Sequence, residues 1–264
     1  MPPSSTCTIV IPCYNAEPYL EAAVASVQAQ TFNDYHLVIV DDASPDATRE
    51  LARRLAANHN NMTVVELPEN CGRSFARNEG VRRTDSPYVA FLDQDDTYHP
   101  DFLKLLIEAF NQTNEFDAIK VLPNLGINID SKRYEAIANS LATTCLFRRS
   151  AFQFIGGWPE SDIYRRHPGG CEDIALLELF NLCFNVGVLH GPLYNYTLRP
   201  GNALDLFLKR SSVIDGVLHV AGRTEDDQLL EAATARLRVL LRNRLRRTLL
   251  NVTHDFVSLE AETK

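Results

Sequence analysis

Three carboxylates stand close together at Asp93, Asp95 and Asp96, directly after the apolar run Tyr88–Leu92. A run of β-branched and aromatic residues of this length predicts a buried strand, so the carboxylates would follow its C-terminal end. Crowded like charges destabilise a fold unless a cation or solvent offsets them. The cluster therefore indicates either a site for a divalent cation or a solvated acidic turn.

The first hundred residues alternate strand patterns with helix patterns. This alternation predicts an α/β fold with a doubly wound, mostly parallel sheet and helices on both faces. Ligands of such sheets bind beyond the carboxyl ends of the strands, so the loops at those ends should open into one crevice. These loops begin at Pro12, Asp41, Leu67 and Asp93. The predicted strands are Thr6–Ile11, His36–Val40, Met62–Glu66 and Tyr88–Leu92; the predicted helices are Ala16–Ala29, one with Leu51 and Leu55 inward, and one capped by Ser74 that ends at Arg83.

The second half is less regular. A weak pattern from Pro123 to Ser140 indicates a surface excursion over a site, and a Pro/Gly-rich loop runs to Gly170. The predicted helices are Asp101–Asn111, Ser150–Ile155 and Glu172–Phe184; the predicted strands are Ala118–Leu122, Cys145–Arg148 and two edge strands, Val186–His190 and Tyr194–Thr197.

The composition and charge limit the classes of protein to which this chain can belong. The chain of 264 residues is 45% hydrophobic, enough to bury a full core, and its net charge of -8 argues against a general nucleic-acid binder. No apolar run approaches the roughly 18 residues that span a bilayer, and Met1–Ser5 lacks a signal pattern, so we expect a soluble cytoplasmic protein. The six scattered cysteines predict reduced core residues rather than disulfides or a metal site.

The C-terminal region predicts a basic amphipathic helix. From Gln228 onward leucines and alanines recur at helical spacing, and six arginines follow with no acid among them. Such a helix could dock on the catalytic domain or on a partner subunit, or attach to an anionic membrane face. The arginines are Arg236, Arg238, Arg242, Arg244, Arg246 and Arg247.

Four blocks of the sequence, in order, resemble the family 2 glycosyltransferases, which have the GT-A fold. Further, sparser matches include Phe147–Arg149, Gly156–Trp158 and Tyr194–Asn202. The resemblance is dense over the first hundred residues and does not reach the C-terminal helix. The blocks are Ile9–Leu20 (IVIPCYNAEPYL), Val38–Asp46 (VIVDDASPD), Asn70–Gly72 with Ala76–Asn78 (NCG and ARN), and Phe91–Asp96 (FLDQDD).

The resemblance implies a nucleotide-sugar donor, typically a UDP-sugar, in the first crevice. Asp42 would accept the N–H of a uracil-type base, and Pro12, Tyr14 and Glu17 would line the nucleoside pocket. The implied donor site comprises Pro12, Tyr14, Glu17, Asp42, Asn70, Gly72, Arg77, Asn78, Asp93, Gln94 and Arg199. Without the motif, Arg77 would be interpreted as an ordinary exposed arginine.

The resemblance also implies a divalent cation, Mg²⁺ or Mn²⁺. A donor diphosphate beside Asp93 and Asp95 is repulsive unless a cation bridges carboxylate and phosphate oxygens. Asp95 is the expected direct ligand, Asp93 would reach the ribose or the metal, and Asp96 would assist. His190 is an alternative ligand, although a histidine on an edge strand is usually packed or solvated.

Glu172 and Asp173 correspond to the family's Glu-Asp pair, in which one carboxylate is the general base for the acceptor hydroxyl. Acids also favour the first turn of a helix through its dipole alone. We expect Asp173 to be the base, with Glu172 as the alternative, because a helix N-terminus keeps a carboxylate ionised and able to accept a proton. A base opposite the departing diphosphate implies in-line displacement with inversion.

One segment departs from the family pattern. Family members often have Tyr-Arg-x-His-x-Gly-Ser after the last strand, with the histidine completing the metal site, whereas this chain has Arg199 in the run Tyr196–Asn202. Arginine cannot coordinate a metal but can hold a diphosphate bidentately. We therefore hypothesise that Arg199 takes over part of the charge role of the metal.

These patterns predict a GT-A catalytic domain at 1–204, with a nucleotide-binding half at about 1–98 and an acceptor half at about 99–204, followed by a helical extension at 205–264. The predicted activity is inverting transfer of a sugar to a hydroxyl of a glycan, lipid-linked or protein acceptor. A sugar-nucleotide-binding domain without turnover and a nucleotidyltransferase are the alternatives, although Pro12–Glu17 lacks the Gly-rich phosphate loop of the latter. Trp158 would either stack on an acceptor sugar or fill the core.

Overall fold

The computed structural model describes residues 5–166, 171–222 and 225–261, with side chains for all of these except Arg166 and 244–261. The strands are β1 (Cys7–Cys13), β2 (Tyr35–Asp41), β3 (Met62–Glu66), β4 (Tyr88–Phe91), β5 (Thr97–Tyr98), β6 (Ala118–Asn124), β7 (Cys145–Arg148), β8 (Val186–Asn195), β9 (Ser211–Ile214) and β10 (Val217–Val220). The helices are α1 (Leu20–Gln28), α2 (Thr48–Ala56), α3 (Arg73–Arg82), α4 (Phe102–Gln112), α5 (Ser131–Ser140), α6 (Arg149–Ile155), α7 (Asp162–Arg166), α8 (Glu172–Asn181), α9 (Ala203–Arg210) and α10 (Glu225–Ala261), with a 3₁₀ turn at Ala142–Thr144.

Eight strands form one twisted sheet in the order β3-β2-β1-β4-β7-β6-β8-β5. The pairs β1–β2, β2–β3, β1–β4 and β6–β8 are parallel, whereas β7 is antiparallel to both β4 and β6, and β5 is antiparallel to β8. Every residue of β1 and β2 is buried, as expected for strands covered by helices on both faces. The predicted α/β fold, with a mostly parallel sheet flanked by helices, is confirmed.

The core lies on both faces of this sheet. On one face, α1 and α4 pack Leu20, Val24 and Phe102 against β1 and β2. On the other face, α3, α6 and α8 contribute apolar side chains that surround Phe91, Phe147 and Trp158. None of the six cysteines forms a disulfide. Cys7, Cys13 and Cys145 are buried in the core, whereas Cys71, Cys171 and Cys183 are partly exposed, so half of the cysteines rather than most are core residues.

Two predicted helix starts were wrong. α1 begins at Leu20 rather than Ala16, because residues 16–19 form turns in which the Leu20 N–H already donates to the Ala16 carbonyl. Ser74 does not cap α3; Gly72 precedes that helix with a φ of +90°, and no side chain caps it. Because a φ of this sign suits glycine, the chain can turn sharply into α3 at this position.

The two predicted edge strands at Val186–His190 and Tyr194–Thr197 are one strand, β8, which lies between β6 and β5. Gly191 and Pro192 indicated a break in the sequence. The structure accommodates them within the strand through register shifts against β6 near Val121 and Leu122. A β-bulge of this kind absorbs the residues that would otherwise end a strand.

The sequence patterns also did not predict α5 or the β9–β10 hairpin. α5 lies in the region of weak pattern after Pro123, and the carboxylate of Asp130 caps it by accepting the Arg133 N–H at 2.9 Å. β9 and β10 form an antiparallel hairpin through Asp215 and Gly216, both of which have positive φ. The predicted loop to Gly170 falls partly on residues 167–170, which lie outside the described residues.

The chain divides into two compact units, Met1–Arg223 and Thr224–Lys264. The sequence places a boundary after Leu204, whereas α9 and the β9–β10 hairpin belong to the first unit. The predicted C-terminal helix is present as α10, which starts with Glu225, Asp226 and Asp227. No helix in the described ranges combines the length and the apolar character needed to cross a bilayer.

Candidate active site

A cavity of about 550 Å³ opens at the carboxyl ends of β1, β2 and β4, where the sequence predicts a shared crevice. Ten of the predicted site residues line it: Pro12, Tyr14, Asp42, Asn70, Gly72, Asp93, Gln94, Asp95, Asp173 and Arg199. Because these residues come from both halves of the first unit, the cavity joins the predicted donor loops to the predicted base.

Four predicted site residues do not line the cavity. Arg77 and Glu172 are buried beneath it, at 0% and 1% exposure. Asn78 is buried and holds the segment around Trp158, because its amide accepts the Trp158 N–H and donates to the Trp158 carbonyl, both at 2.9 Å. Glu17 is exposed, and its backbone N–H donates to Asp46.

Sequence patterns did not identify Arg73 and Arg165, which also line the cavity. Arg73 follows Gly72 directly, so its position in the predicted motif was a usable signal. Arg165 lies on α7, a short helix without a sequence pattern, and its side chain lies against Gly72. A Cβ at Gly72 would come within 3.1 Å of Arg165 Cγ, so the glycine leaves room for this contact.

Asp42 connects two of the cavity loops. Its carboxylate accepts the N–H of Cys71 at 2.7 Å and that of Gly72 at 2.8 Å, which closes the loop before α3 onto the end of β2. Burial raises the pKa of Asp42, and the two backbone N–H groups oppose that rise. Asp42 therefore shapes this end of the cavity as well as lining it.

Gln94 and Tyr14 connect the other two loops. The Tyr14 N–H donates to Gln94 Oε1 at 2.8 Å, and Gln94 Nε2 donates back to the Tyr14 carbonyl at 3.0 Å. This reciprocal pair fixes the loop after β1 beside the acidic loop after β4, so the phenol of Tyr14 stays at the cavity mouth with 43% exposure.

Each carboxylate of the acidic loop has its own partner. Arg77 Nη2 donates to Asp93 Oδ1 at 2.5 Å, and Arg199 forms an ion pair with Asp95. Asp96 is buried and accepts the Tyr194 hydroxyl at 2.6 Å and the Thr197 N–H at 2.7 Å. Burial raises the pKa of both Asp95 and Asp96, and the neighbouring Asp93 charge adds to that rise.

The two members of the Glu-Asp pair have different surroundings. Glu172 Oε1 forms an ion pair with Arg73 Nε at 2.8 Å and accepts a hydrogen bond from Arg77 Nη1 at 3.2 Å, and its side chain is inaccessible from the cavity. Asp173 lines the cavity and accepts the Ala142 N–H at 2.9 Å. Burial raises the pKa of Asp173 to about 7, helped by the charges of Glu172 and Asp93 and opposed by Arg77.

Trp158 is a core residue. It is 1% exposed, its ring meets Phe91 edge-on at 5.1 Å, and Arg77 lies over its face with Cζ at 4.1 Å from the ring centroid. Stacking of Trp158 on an acceptor sugar is therefore ruled out. His190 is exposed on β8 and does not line the cavity, so the alternative of a histidine metal ligand has no geometric support.

The cavity suits a cation that the substrate helps to hold. Among the described residues, no group of three or more His, Cys, Asp or Glu is arranged to bind a metal ion. Asp93 and Asp95 nevertheless both present carboxylates to the cavity, and Mg²⁺ commonly binds through one or two carboxylates plus substrate phosphates. Arg199 already engages Asp95, so a cation at that oxygen would have to displace the guanidinium.

Comparison with known proteins agrees with this geometry. The model of the family "Glycosyl transferase family 2" matches residues 8–131, which include all four cavity loops. Residues 8–131 belong to glycosyltransferase family 2. The succinoglycan biosynthesis protein ExoW of Rhizobium meliloti is 43% identical over 115 residues, which cover 42% of this chain and 35% of ExoW. The chain thus spans about a third of the length of that relative.

Solved structures share the fold beyond the family match. The S. aureus TarS structure in complex with UDP-GlcNAc superposes with a TM-score of 0.64 and 22% identity, over 75% of this chain and 60% of the TarS chain. The mannosyltransferase PcManGT from Pyrobaculum calidifontis, in complex with GDP-Man and Mn²⁺, has a TM-score of 0.60 and 19% identity, over 75% of this chain and 58% of its own. At this level of identity the likeness establishes the fold.

Proposed function

We propose that this chain is an inverting glycosyltransferase that moves a sugar from a nucleoside diphosphate donor, a UDP-sugar, to a hydroxyl acceptor during synthesis of a cell-surface polysaccharide. Family membership and the name of ExoW support the reaction class and the glycan context. The donors bound by TarS and PcManGT support a nucleotide sugar. The observation that carries the proposal is the presence of Asp173 in the same cavity as Asp93, Asp95 and Arg199.

In the proposed reaction, the acceptor hydroxyl oxygen bonds to the anomeric carbon as the bond from that carbon to the diphosphate oxygen breaks. The hydroxyl proton passes to Asp173, and the nucleoside diphosphate leaves with the bonding electron pair. Attack from the side opposite to the leaving group inverts the anomeric carbon. A pKa of about 7 suits Asp173 for this role, because a base is most effective when its pKa lies near the working pH.

The leaving diphosphate needs positive charge. Arg199 can supply it through a planar guanidinium that binds phosphate oxygens bidentately. When bound by Asp93 and Asp95, a divalent cation would also neutralise the developing charge. Glu172 is excluded from proton transfer by its burial and by its two arginine partners, so in this proposal it is a structural acid.

The second candidate function is a nucleotide-sugar-binding domain without turnover. It is favoured by Arg199, which stands where the family pattern has a metal-binding histidine and forms an ion pair with Asp95. Release of nucleoside diphosphate from a panel of UDP-, GDP- and dTDP-sugars separates the two candidates. Turnover that falls at least about 100-fold in Asp173→Asn supports the enzyme. Donor binding without release from the wild type supports the binding domain.

A matched control is available for that experiment. Asp215→Asn changes the same atoms at an exposed turn of the β9–β10 hairpin, and Asn tolerates the positive φ of that position. Its rate should equal that of the wild type. An equal loss in both variants would mean that the effect of Asp173→Asn does not come from the cavity.

We further propose that α10 contacts an anionic membrane surface or a second copy of this chain. The helix follows its acidic first turn with arginines at Arg236, Arg238 and Arg242, and Val239 and Leu240 are both 56% exposed. Basic amphipathic helices bind anionic lipid through this combination of charge and apolar area.

A further inference from the structure

Arg77 is a fully buried charged side chain near the candidate active site. It is 0% exposed, lies on α3 below the cavity, and its guanidinium covers one face of the Trp158 ring. Burying an arginine is costly unless acids and hydrogen bonds compensate for the lost water. Its partners should therefore indicate what the buried charge is for.

The partners of Arg77 belong to the two ends of the proposed reaction. One nitrogen, Nη2, donates to Asp93 on the donor loop, and the other, Nη1, donates to Glu172 at the start of the helix that carries Asp173. Asp93 and Glu172 are 79 positions apart in the chain and lie on different elements. One guanidinium thus connects the donor loop to the helix of the proposed base.

We propose that Arg77 is a positioning residue that clamps Asp93 and Glu172 in one arrangement and supplies the positive charge beneath Asp173. This inference rests on the proposed function. Arg77 acts through the two carboxylates and does not touch the donor, since it lies outside the cavity that the donor would enter. A planar fork is needed, because a lysine ammonium is a single point and binds two separate carboxylates less well.

The charged and polar groups around Asp173 determine how much the charge of Arg77 affects its pKa. Glu172 on the same helix and Asp93 after β4 are both negative, and Cys145 of β7 lies close enough for the two groups to interact. From the 3₁₀ turn, the Ala142 N–H donates to the carboxylate. The positive charge that acts most strongly on Asp173 is that of Arg77, which lowers its pKa against the effect of burial.

Other cations near α8 are paired or bind neutral groups, and Arg73 of α3 pairs with Glu172. In α5, Lys132 pairs with Glu135, and Arg133 pairs with Asp130 and bonds to Ser211. In α6, Arg149 binds neutral oxygens of other segments. Removal of the Arg77 charge should therefore change the basicity of Asp173 more than any other single substitution outside the cavity.

The test compares Arg77→Met and Arg77→Lys with wild type in nucleoside diphosphate release across pH. Arg77→Met should move the acid limb of kcat/KM to higher pH by about one unit, so that its loss of rate is largest at acid pH and falls at alkaline pH to the loss caused by the missing fork. Arg77→Lys keeps the charge, so the acid limb of its kcat/KM profile should stay at the wild-type pH. Its kcat should fall at least about tenfold, because a lysine ammonium does not bind the two carboxylates as the guanidinium does. Donor affinity should fall by less than kcat in both variants.

The matched control is Arg149→Lys, a second buried arginine whose partners are the backbone carbonyls of Ser86 and Val81 and the hydroxyls of Thr8 and Thr84. It should lower the melting temperature without moving the acid limb. A limb that moves in Arg149→Lys as much as in Arg77→Met would overturn the proposal, because general loosening would then explain the shift.

An Arg77→Met variant that folds and loses the same factor of rate at every pH also overturns the proposal. If Arg77→Met does not fold, Arg77→Lys decides the clamp alone, and wild-type kcat in that variant contradicts it. Absence of turnover in the wild type would be a failure of the proposed function, which is distinct from these outcomes. In a double variant with Asp173→Asn, Arg77→Met should no longer change the pH dependence, because the base whose pKa Arg77 lowers is absent.

Discussion

Arg199 and Asp95 form an ion pair inside the candidate active site, and the guanidinium of Arg199 also lies 4.9 Å from the ring centroid of Tyr19. The pair places a fixed positive charge beside the acidic loop. A carboxylate that would otherwise repel a diphosphate is thereby neutralised by the chain itself. The same pairing means that a metal ion and Arg199 compete for Asp95.

The first prediction concerns this competition. Arg199→Ala should weaken donor binding about tenfold or more, since a hydrogen bond to a charged group contributes roughly 1.5–3 kcal/mol. It should also make turnover more sensitive to a chelator, because the metal would then carry the whole charge role. Donor titration and diphosphate release, each with and without chelator, measure both effects.

The control for Arg199→Ala is Lys132→Ala, which removes a cation paired with Glu135 on α5, a helix that does not line the cavity. It should behave as wild type. Complete loss of turnover with chelator in the wild type, together with no effect of Arg199→Ala, would contradict the assigned role of Arg199.

The second prediction concerns the pH dependence of catalysis. Asp173 must be ionised to accept the acceptor proton, and its pKa is about 7. The kcat/KM should therefore rise with pH below about 7 and level off above it, and the rise should vanish in Asp173→Asn. A rate that stays flat from pH 5 to pH 8 in the wild type would argue against Asp173 as the base.

The third prediction concerns stability. The pKa of Asp173 is about 7 in the fold and near 3.9 in an unfolded chain, so the folded state binds more protons between these values. Stability from this group is present at low pH and is lost as pH rises through about 7. Asp173→Asn removes the buried charge while its amide oxygen can still accept the Ala142 N–H.

Asp173→Asn should therefore melt at least about 2 °C above the wild type at pH 8, with little difference at pH 4, since 1 kcal/mol shifts the melting temperature by roughly 2–4 °C at this size. Thermal unfolding at the two pH values checks this. A variant that is equally stable relative to wild type at both pH values would show that Asp173 titrates normally.

The fourth prediction concerns α10. Replacement of Arg236, Arg238 and Arg242 by Gln should reduce cosedimentation with vesicles that contain anionic lipid, because each basic residue near such a surface contributes about 1 kcal/mol. Neutral vesicles provide the control. If the wild-type protein binds neither type of vesicle and sediments as a dimer, the contact of α10 is with a second copy of the chain. If it binds neither type of vesicle and sediments as a monomer, both contacts are excluded.

The cavity could be predicted from the sequence because its loops follow buried strands, and strand ends in a parallel sheet share one edge. Asp42, Asp93 and Asp173 meet there because each lies directly after a strong apolar pattern or at the start of one. The local sequence therefore predicts where a residue lies along a strand or helix. It does not predict the direction in which a long side chain points.

Arg77 illustrates this limit. Its motif indicated a donor contact, but the side chain is buried beneath the cavity because acids from two distant segments and the Trp158 ring surround it. Arg165 had no signal, since its position depends on the missing side chain of Gly72. β8 was divided in two because Gly191 and Pro192 resemble a strand end, and only pairing with β6 shows that the strand continues.

The most direct test of the central claim is the configuration of the sugar released when water replaces the acceptor. Wild-type protein incubated with an α-linked UDP-sugar should release the β-anomer first by ¹H NMR, and Asp173→Asn should bind the donor with unchanged affinity but release sugar at least about 100-fold more slowly. Release of the α-anomer, or equal rates in the two proteins, would contradict inversion with Asp173 as the base.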